Sequence, residues 1–270
     1  LSPFDCPTYF PWRDMLIGRR SYSMLVKSAD RILTVSQFSR RKILDKWKLP
    51  EDRVGVVDGG VWPASTLNGA LDGAGGSRPG GDVPAKYGIQ GPYFLWCGAM
   101  WKRKNVTALI RALKEFKRRT GDDTLLVLAG TPGNQSAEVD ALAKELDVEK
   151  YIRRVGFVED EDLPGLLRGA VAFVFPSMYE GFGLPVLEAM ACGTPVIASN
   201  VTSLPEVMAG AGLLVDPTAP STIADSMVEV STDPDLRRRL SEQGKARAAT
   251  YSWNASAKAL LQAFDEVYSA

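Results

Sequence analysis

Two carboxylates eight positions apart, Glu180 and Glu188, enclose the stretch of this chain best equipped for chemistry. Residues 180–188 read EGFGLPVLE. Pro185 fits the first turn of a helix, where its missing N–H costs nothing, and Gly193 fits the position just past the helix end. The free N–H groups of Gly183, Leu184 and their neighbours then form an anion site, reinforced by the helix dipole. Gly181 and Gly183 let a ligand approach the backbone closely. Glu180 falls in the loop and Glu188 within the helix, so the pair can hold two parts of one extended ligand. An acid and base flanking a single glycosidic bond would both have to stand at one reacting centre. Taken singly, Glu180 reads as a charge that favours the dipole, and Glu188 as a solvated helix carboxylate. Taken with the glycines and proline between them, they read as a binding site.

A second candidate is residues 98–105, GAMWKRKN. Lys102, Arg103 and Lys104 are expected at a helix start, where positive charge opposes the dipole. A bound diphosphate would account for them, since Arg offers a planar fork and Lys a point charge. The competing reading is a solvated basic run. The acidic residues 159–162 read as the start of a helix rather than as a metal site.

The elements that must position these residues alternate along the chain. A helix is expected over 12–29, a strand over 31–36, a helix capped by Ser36 to about residue 48, and a strand over 53–57. Residues 59–81 are rich in Gly with small polar residues and read as a linker or mobile loop. No Gly-Lys-Ser/Thr ends this stretch, so it is not a phosphate loop. Strands are then expected at 93–97, 124–129, 151–157, 171–175, 195–198 and 212–215. The helices between and after them are 105–119, 136–146, 160–168, 184–191, 204–208, 221–231, 235–250 and 253 onward. Continuously apolar strands separated by helices describe an α/β fold, a doubly wound parallel sheet covered on both faces. Such sheets bind ligands at the carboxyl ends of their strands, where both candidate loops fall.

Composition narrows the function. Lys plus Arg and Asp plus Glu both number 32, and this balance argues against a nucleic-acid protein. The 270 residues contain no His, which excludes a Ser-His-Asp triad, a His-based zinc site and a His base within them. Cys6, Cys97 and Cys192 are odd in number and far apart, giving neither a disulfide framework nor a metal spacing. A reducing cytoplasm is the simplest reading. No apolar run approaches the ~20 residues needed to span a membrane. The basic stretch 13–20, with Trp12, Leu16 and Ile17, is a candidate for contact with a membrane surface. Trp47, Trp62, Trp96, Trp101 and Trp253 are expected to be packing residues.

The motif E-GFGLPVL-E, the following AMACGTPVIASNVTSLPEV, RKN at 103–105, VGFV at 155–158 and SW at 252–253 resemble the retaining glycosyltransferases of family four. SADRILTVSQFSRRKIL at 28–44 resembles the end of that family's first domain. The likeness covers nearly the whole chain and is strongest to bacterial mannosyltransferase-like enzymes of surface-polysaccharide assembly. It implies a GT-B fold of two Rossmann domains. Residues 1–60 would be the remnant of the first, acceptor domain and 61–91 a linker. Residues 92–252 would be the nucleotide-sugar domain, and 253–270 a crossover helix.

By this resemblance, Arg103 and Lys104 bind the donor diphosphate. Glu180 holds hydroxyls of the donor sugar, helped by the backbone of Phe182, Gly183 and Leu184. Glu188 binds the ribose, and the backbone of Val158 reads the base edge. The reaction implied is transfer of a hexose, mannose first, from a nucleoside diphosphate sugar to a hydroxyl of a glycan or lipid-linked acceptor. GDP-mannose is the first choice of donor, and no metal or cofactor is implied. The setting would be the cytoplasm, at the inner face of the membrane. Many relatives carry Arg where this chain has Ala99, which puts more weight on Arg103 and Lys104. Leu1 in place of Met, and only two strand–helix units before the linker, suggest that roughly 100 residues of a first domain are missing, judged by ordinary domain size. A truncation or a partner chain would explain that. Alternative readings are a non-catalytic nucleotide-sugar-binding module and, less favoured for want of acid/base residues, a nucleotide-sugar epimerase.

Overall fold

The computed structural model describes residues 4, 7–9, 12–61 and 83–269. Most of the expected linker, including Trp62, lies outside the described residues.

The first unit holds helix α1 (Trp12–Ser28), strand β1 (Ile32–Thr34), helix α2 (Gln37–Trp47) and strand β2 (Val54–Val56), with β1 and β2 paired in parallel. Ser36 caps α2 as its type and position predict, its side chain accepting from the N–H of Ser39.

The second unit opens with a one-turn helix, α3 (Val83–Lys86), which the sequence pattern did not reveal. Then follow β3 (Tyr93–Cys97), α4 (Val106–Thr120), β4 (Leu125–Ala129), α5 (Ser136–Glu145), β5 (Ile152–Gly156), α6 (Leu163–Gly169) and β6 (Ala172–Phe175). The chain continues through α7 (Leu184–Ala191), β7 (Val196–Ser199), α8 (Leu204–Met208), β8 (Leu213–Val215), α9 (Pro220–Thr232), α10 (Pro234–Ala248) and α11 (Trp253–Tyr268).

All six strands from β3 to β8 are parallel, in the order β5-β4-β3-β6-β7-β8. Strands β3, β4, β6 and β7 are almost wholly buried, which explains their unbroken apolar sequences. β5 ends the sheet and carries Arg153 and Arg154 outward, charges that discourage further pairing there. The chain reverses its direction of winding between β3 and β6, so a crevice opens at their carboxyl ends.

The tryptophans divide. Trp96 is fully buried, but Trp101 and Trp253 are 46% and 41% exposed, so packing does not account for them. Among the described residues, no helix is long and apolar enough to cross a membrane.

The two units touch. Glu206 of α8 accepts from the N–H groups of Gln37 and Phe38 at 2.7 and 3.0 Å. Helix α11 returns to the first unit, where Ser256 donates to the carbonyl of Asp58 at 2.6 Å and Glu266 pairs with Arg31.

Candidate functional site

The loop after β3 and the loop after β6 are bound directly to one another. The N–H of Met178 donates to the carbonyl of Arg103 at 2.8 Å. Asn105 takes a left-handed backbone, φ +56°, which frees its amide to donate to the carbonyls of Pro176 and Pro217 at 3.2 and 2.8 Å. An Asn tolerates this conformation better than most residues. The basic residues therefore do not begin α4, as the sequence suggested. They form a separate 3-10 turn, Lys102–Lys104. The first N–H of α4, that of Val106, is satisfied within the protein by Gln135 Oε1 at 3.0 Å. That cap is 29 residues distant, which is why it could not be read from the local pattern.

The basic turn delivers its side chains to Glu180. Lys104 Nζ donates to Glu180 Oε1 at 2.8 Å, and Arg103 Nη1 donates to the same oxygen at 3.0 Å. Arg103 also reaches the carbonyl of Tyr179 at 3.2 Å. The side chains of Lys104 and Glu180 are nearly buried, while that of Arg103 is more open. Lys104 also lies 4.5 Å from the centre of the Phe175 ring, a cation–π contact. Burial pushes the Lys104 ammonium below its ordinary range, and the Glu180 charge opposes that shift.

Glu188 stands apart from this cluster. It is half-buried in α7 and lines a separate cavity of about 230 Å³ with Asp160, Leu163, Leu184 and Trp253. Burial raises its carboxyl above the usual carboxylate range, and the nearby Asp160 adds to the effect. Glu180 borders a different cavity, of about 640 Å³, with Arg103, Gly181 and residues of α1 and β1. The two carboxylates thus border different cavities.

Of the other expected contacts, Val158 and Phe182 are buried, and Leu184 is 36% exposed at the start of α7. Gly183 is the N-cap of α7 with φ +120°, and Pro185 lies in the first turn. The helix ends as its sequence predicts, with Gly193 at φ +75° donating to the carbonyl of Met190 at 2.9 Å. In the acidic run, Asp162 accepts from Tyr87 at 2.7 Å and Lys86 at 2.5 Å, tying α6 to α3. Cys97 and Cys192 are free thiols, each pushed up to about 11 by burial. Residue type alone did not mark Ser39, Thr202 and Ser203, whose hydroxyls hold the Glu180 loop. Ser39 had a local signal in the Ser-x-x-Ser spacing at 36–39, and Thr202 and Ser203 lie in the stretch 189–207 that carries the family resemblance.

Comparison with known proteins gives this arrangement a family. The sequence pattern of glycosyl transferases group 1 matches residues 84–247. O-antigen chain mannosyltransferase B of Escherichia coli is 37% identical over 257 residues, covering 94% of this chain and 65% of that protein. Among solved structures, sucrose-phosphate synthase from Thermosynechococcus elongatus superposes with a TM-score of 0.75 at 25% identity, over 95% of this chain and 62% of that one. HepE of Anabaena, solved with UDP and glucose, superposes at 0.79 and 17% identity, over 96% of this chain and 69% of that one. The chain thus spans less than two thirds of the first two of these proteins. Its α/β fold, with one parallel sheet of six strands, is that of its GT-B glycosyltransferase neighbours. By the match over residues 84–247, the chain belongs to the glycosyl transferases group 1 family.

Proposed function

We propose that this chain carries the donor site of a retaining hexosyltransferase acting on a nucleoside diphosphate sugar. The observation that carries this reading is the meeting of Arg103, Lys104 and Glu180 at the sheet's switch point. Two cations and a carboxylate converge there within hydrogen-bond reach, beside the start of α7. On this reading Arg103 and Lys104 take the diphosphate. Glu180 and the backbone of Phe182, Gly183 and Leu184 take the sugar. Glu188 takes the ribose and the backbone of Val158 the base.

In the transfer, the acceptor oxygen bonds to the anomeric carbon on the face from which the diphosphate departs. The acceptor proton passes to an oxygen of the leaving phosphate, so no protein base is required. The protein's contribution is to stabilise charge as it grows on that phosphate. Arg103 and Lys104 would exchange Glu180 for the diphosphate as the donor enters.

The mannosyltransferase of O-antigen chains among the relatives supports mannose as the hexose, GDP-mannose as the donor and a glycan or lipid-linked acceptor. The setting we propose is the cytoplasmic face of the membrane. Exposed Leu16 and Ile17 beside the basic residues of α1 support contact with that surface. A second reading is a nucleotide-sugar-binding unit that does not itself catalyse.

Calorimetric titration of GDP-mannose, UDP-glucose, GDP and UDP into the chain tests the donor site. Binding of one nucleotide sugar is expected, and binding of none would refute it. Binding without transfer to any acceptor would select the second reading.

A further inference from the structure

Serine hydroxyls fix three consecutive carbonyls in the loop before α7. Ser203 Oγ lies 3.0 Å from the carbonyl of Glu180 and 2.8 Å from that of Phe182. A hydroxyl has one proton, so Ser203 shares it between the two oxygens. The carbonyl between them, Gly181, accepts from Ser36 at 2.6 Å and from Ser39 at 3.2 Å. Ser203 and Ser36 are completely buried and Ser39 is 7% exposed, so water does not compete for these bonds. Thr202 Oγ1 accepts from the N–H of Glu180 at 3.3 Å and anchors the start of the same loop.

Within a trans peptide unit, the C=O and the following N–H point in opposite directions. Holding the oxygens of residues 180, 181 and 182 therefore fixes the N–H groups of Gly181, Phe182 and Gly183. None of those three N–H groups donates to another described residue. The N–H groups of Gly181 and Gly183 therefore point away from Ser203, and that of Phe182 points away from Ser36 and Ser39. Ser203 belongs to the same unit as the loop. Ser36 and Ser39 do not: they lie at the start of α2, across the boundary between units. One Ser36 oxygen does both jobs, accepting from the N–H of Ser39 at 3.1 Å and donating to Gly181.

We infer that Ser36 and Ser39 are positioning residues of the donor site, holding the Gly181 carbonyl so that the Phe182 N–H faces the sugar. This rests on the proposed function. It goes further in making the sugar end of the site, but not the nucleotide end, depend on α2. The first unit then helps to select the sugar, through two hydroxyls that never touch it.

The test compares GDP-mannose and GDP by calorimetry, or UDP-glucose and UDP if the wild type prefers those. In Ser36→Ala/Ser39→Ala, affinity for the nucleotide sugar is expected to fall about fivefold, the worth of a hydrogen bond, with affinity for the free nucleotide unchanged. Ser36→Thr/Ser39→Thr, which keeps both hydroxyls, is expected to restore the wild-type ratio. A wild type that binds, with an unchanged ratio in the double Ala variant, overturns this inference alone. An equal loss for both ligands does so too, because it marks a general structural effect. A wild type that binds neither ligand overturns the donor-site reading and this inference with it. Should the double variant not fold, Ser39→Ala, which leaves the α2 cap in place, decides by the same ratio.

Discussion

Glu206 caps a helix that belongs to the other unit: its carboxylate receives the N–H of Gln37 at 2.7 Å and that of Phe38 at 3.0 Å. The first N–H groups of a helix have no partner inside it, and a negative charge there also complements the dipole. Arg247 holds the Glu206 backbone from behind, donating to its carbonyl at 2.9 Å. Glu206→Ala is expected to lower stability by about 1–2 kcal/mol, the usual cost of losing a cap. Chemical denaturation measures this, and a wild-type midpoint with an unchanged slope would show that the cap does not couple the units.

Lys104→Ala removes one of two cations from a nearly buried carboxylate. Affinity for a nucleoside diphosphate is expected to fall about tenfold or more, in line with hydrogen bonds to charged groups. Lys104→Met keeps apolar bulk near the Phe175 ring. It should lose the same affinity while remaining closer to the wild type in melting temperature. Undiminished binding in both variants would remove Lys104 from the diphosphate site.

Glu188 gives a dependence on pH whose sign is set. Its carboxyl lies above the ordinary value of 4.5 in the folded chain, through burial and then through Asp160. The folded state therefore holds this proton more tightly than the unfolded state does. The stabilisation is complete below 4.5 and is lost as pH rises through the folded value. Glu188→Gln cannot ionise, so it should melt higher than the wild type at pH 7, with the gap closing towards pH 4. It should also bind the nucleotide less tightly. Melting curves across that range check the prediction, and a gap that widened in acid would contradict it.

Gly130 packs against Gly98 where β4 and β3 end. A Cβ at Gly130 would stand 2.1 Å from the Gly98 carbonyl oxygen, on a backbone with φ +121°. The obstacle is backbone, so no side chain can move aside. Gly130→Ala is expected to cost about 3 kcal/mol or more, from strain and overpacking together. A thermal shift close to zero would mean that the strand ends separate more easily than their geometry implies.

The sheet was largely legible because its central strands are buried on both faces. Runs such as LLVLA and AFVF admit no other easy reading between helices. The placement of Glu180 in a loop and of Glu188 in a helix was also legible, from the glycines and the proline between them. The ion pairs were not. Lys104 and Glu180 lie 76 residues apart, and only the strand order brings their loops together. For the same reason, the basic residues read as the start of α4, whereas they form a separate turn and Gln135 takes the first N–H of the helix. Trp101 and Trp253 were misjudged because a large aromatic residue has the same appearance in sequence whether covered or open. Ser36 was correctly identified as a cap, but the proton it donates goes to a residue 145 positions away.

The single oxygen of Glu180 shared by Arg103 and Lys104 has a consequence for how a ligand arrives. Together the three groups carry one net positive charge, and the whole chain carries none. A diphosphate drifting nearby meets a weak field, so electrostatic steering adds little to its rate of encounter. Discrimination then falls to the lifetime of the complex, set by whether the newcomer can replace Glu180 at both cations before it leaves.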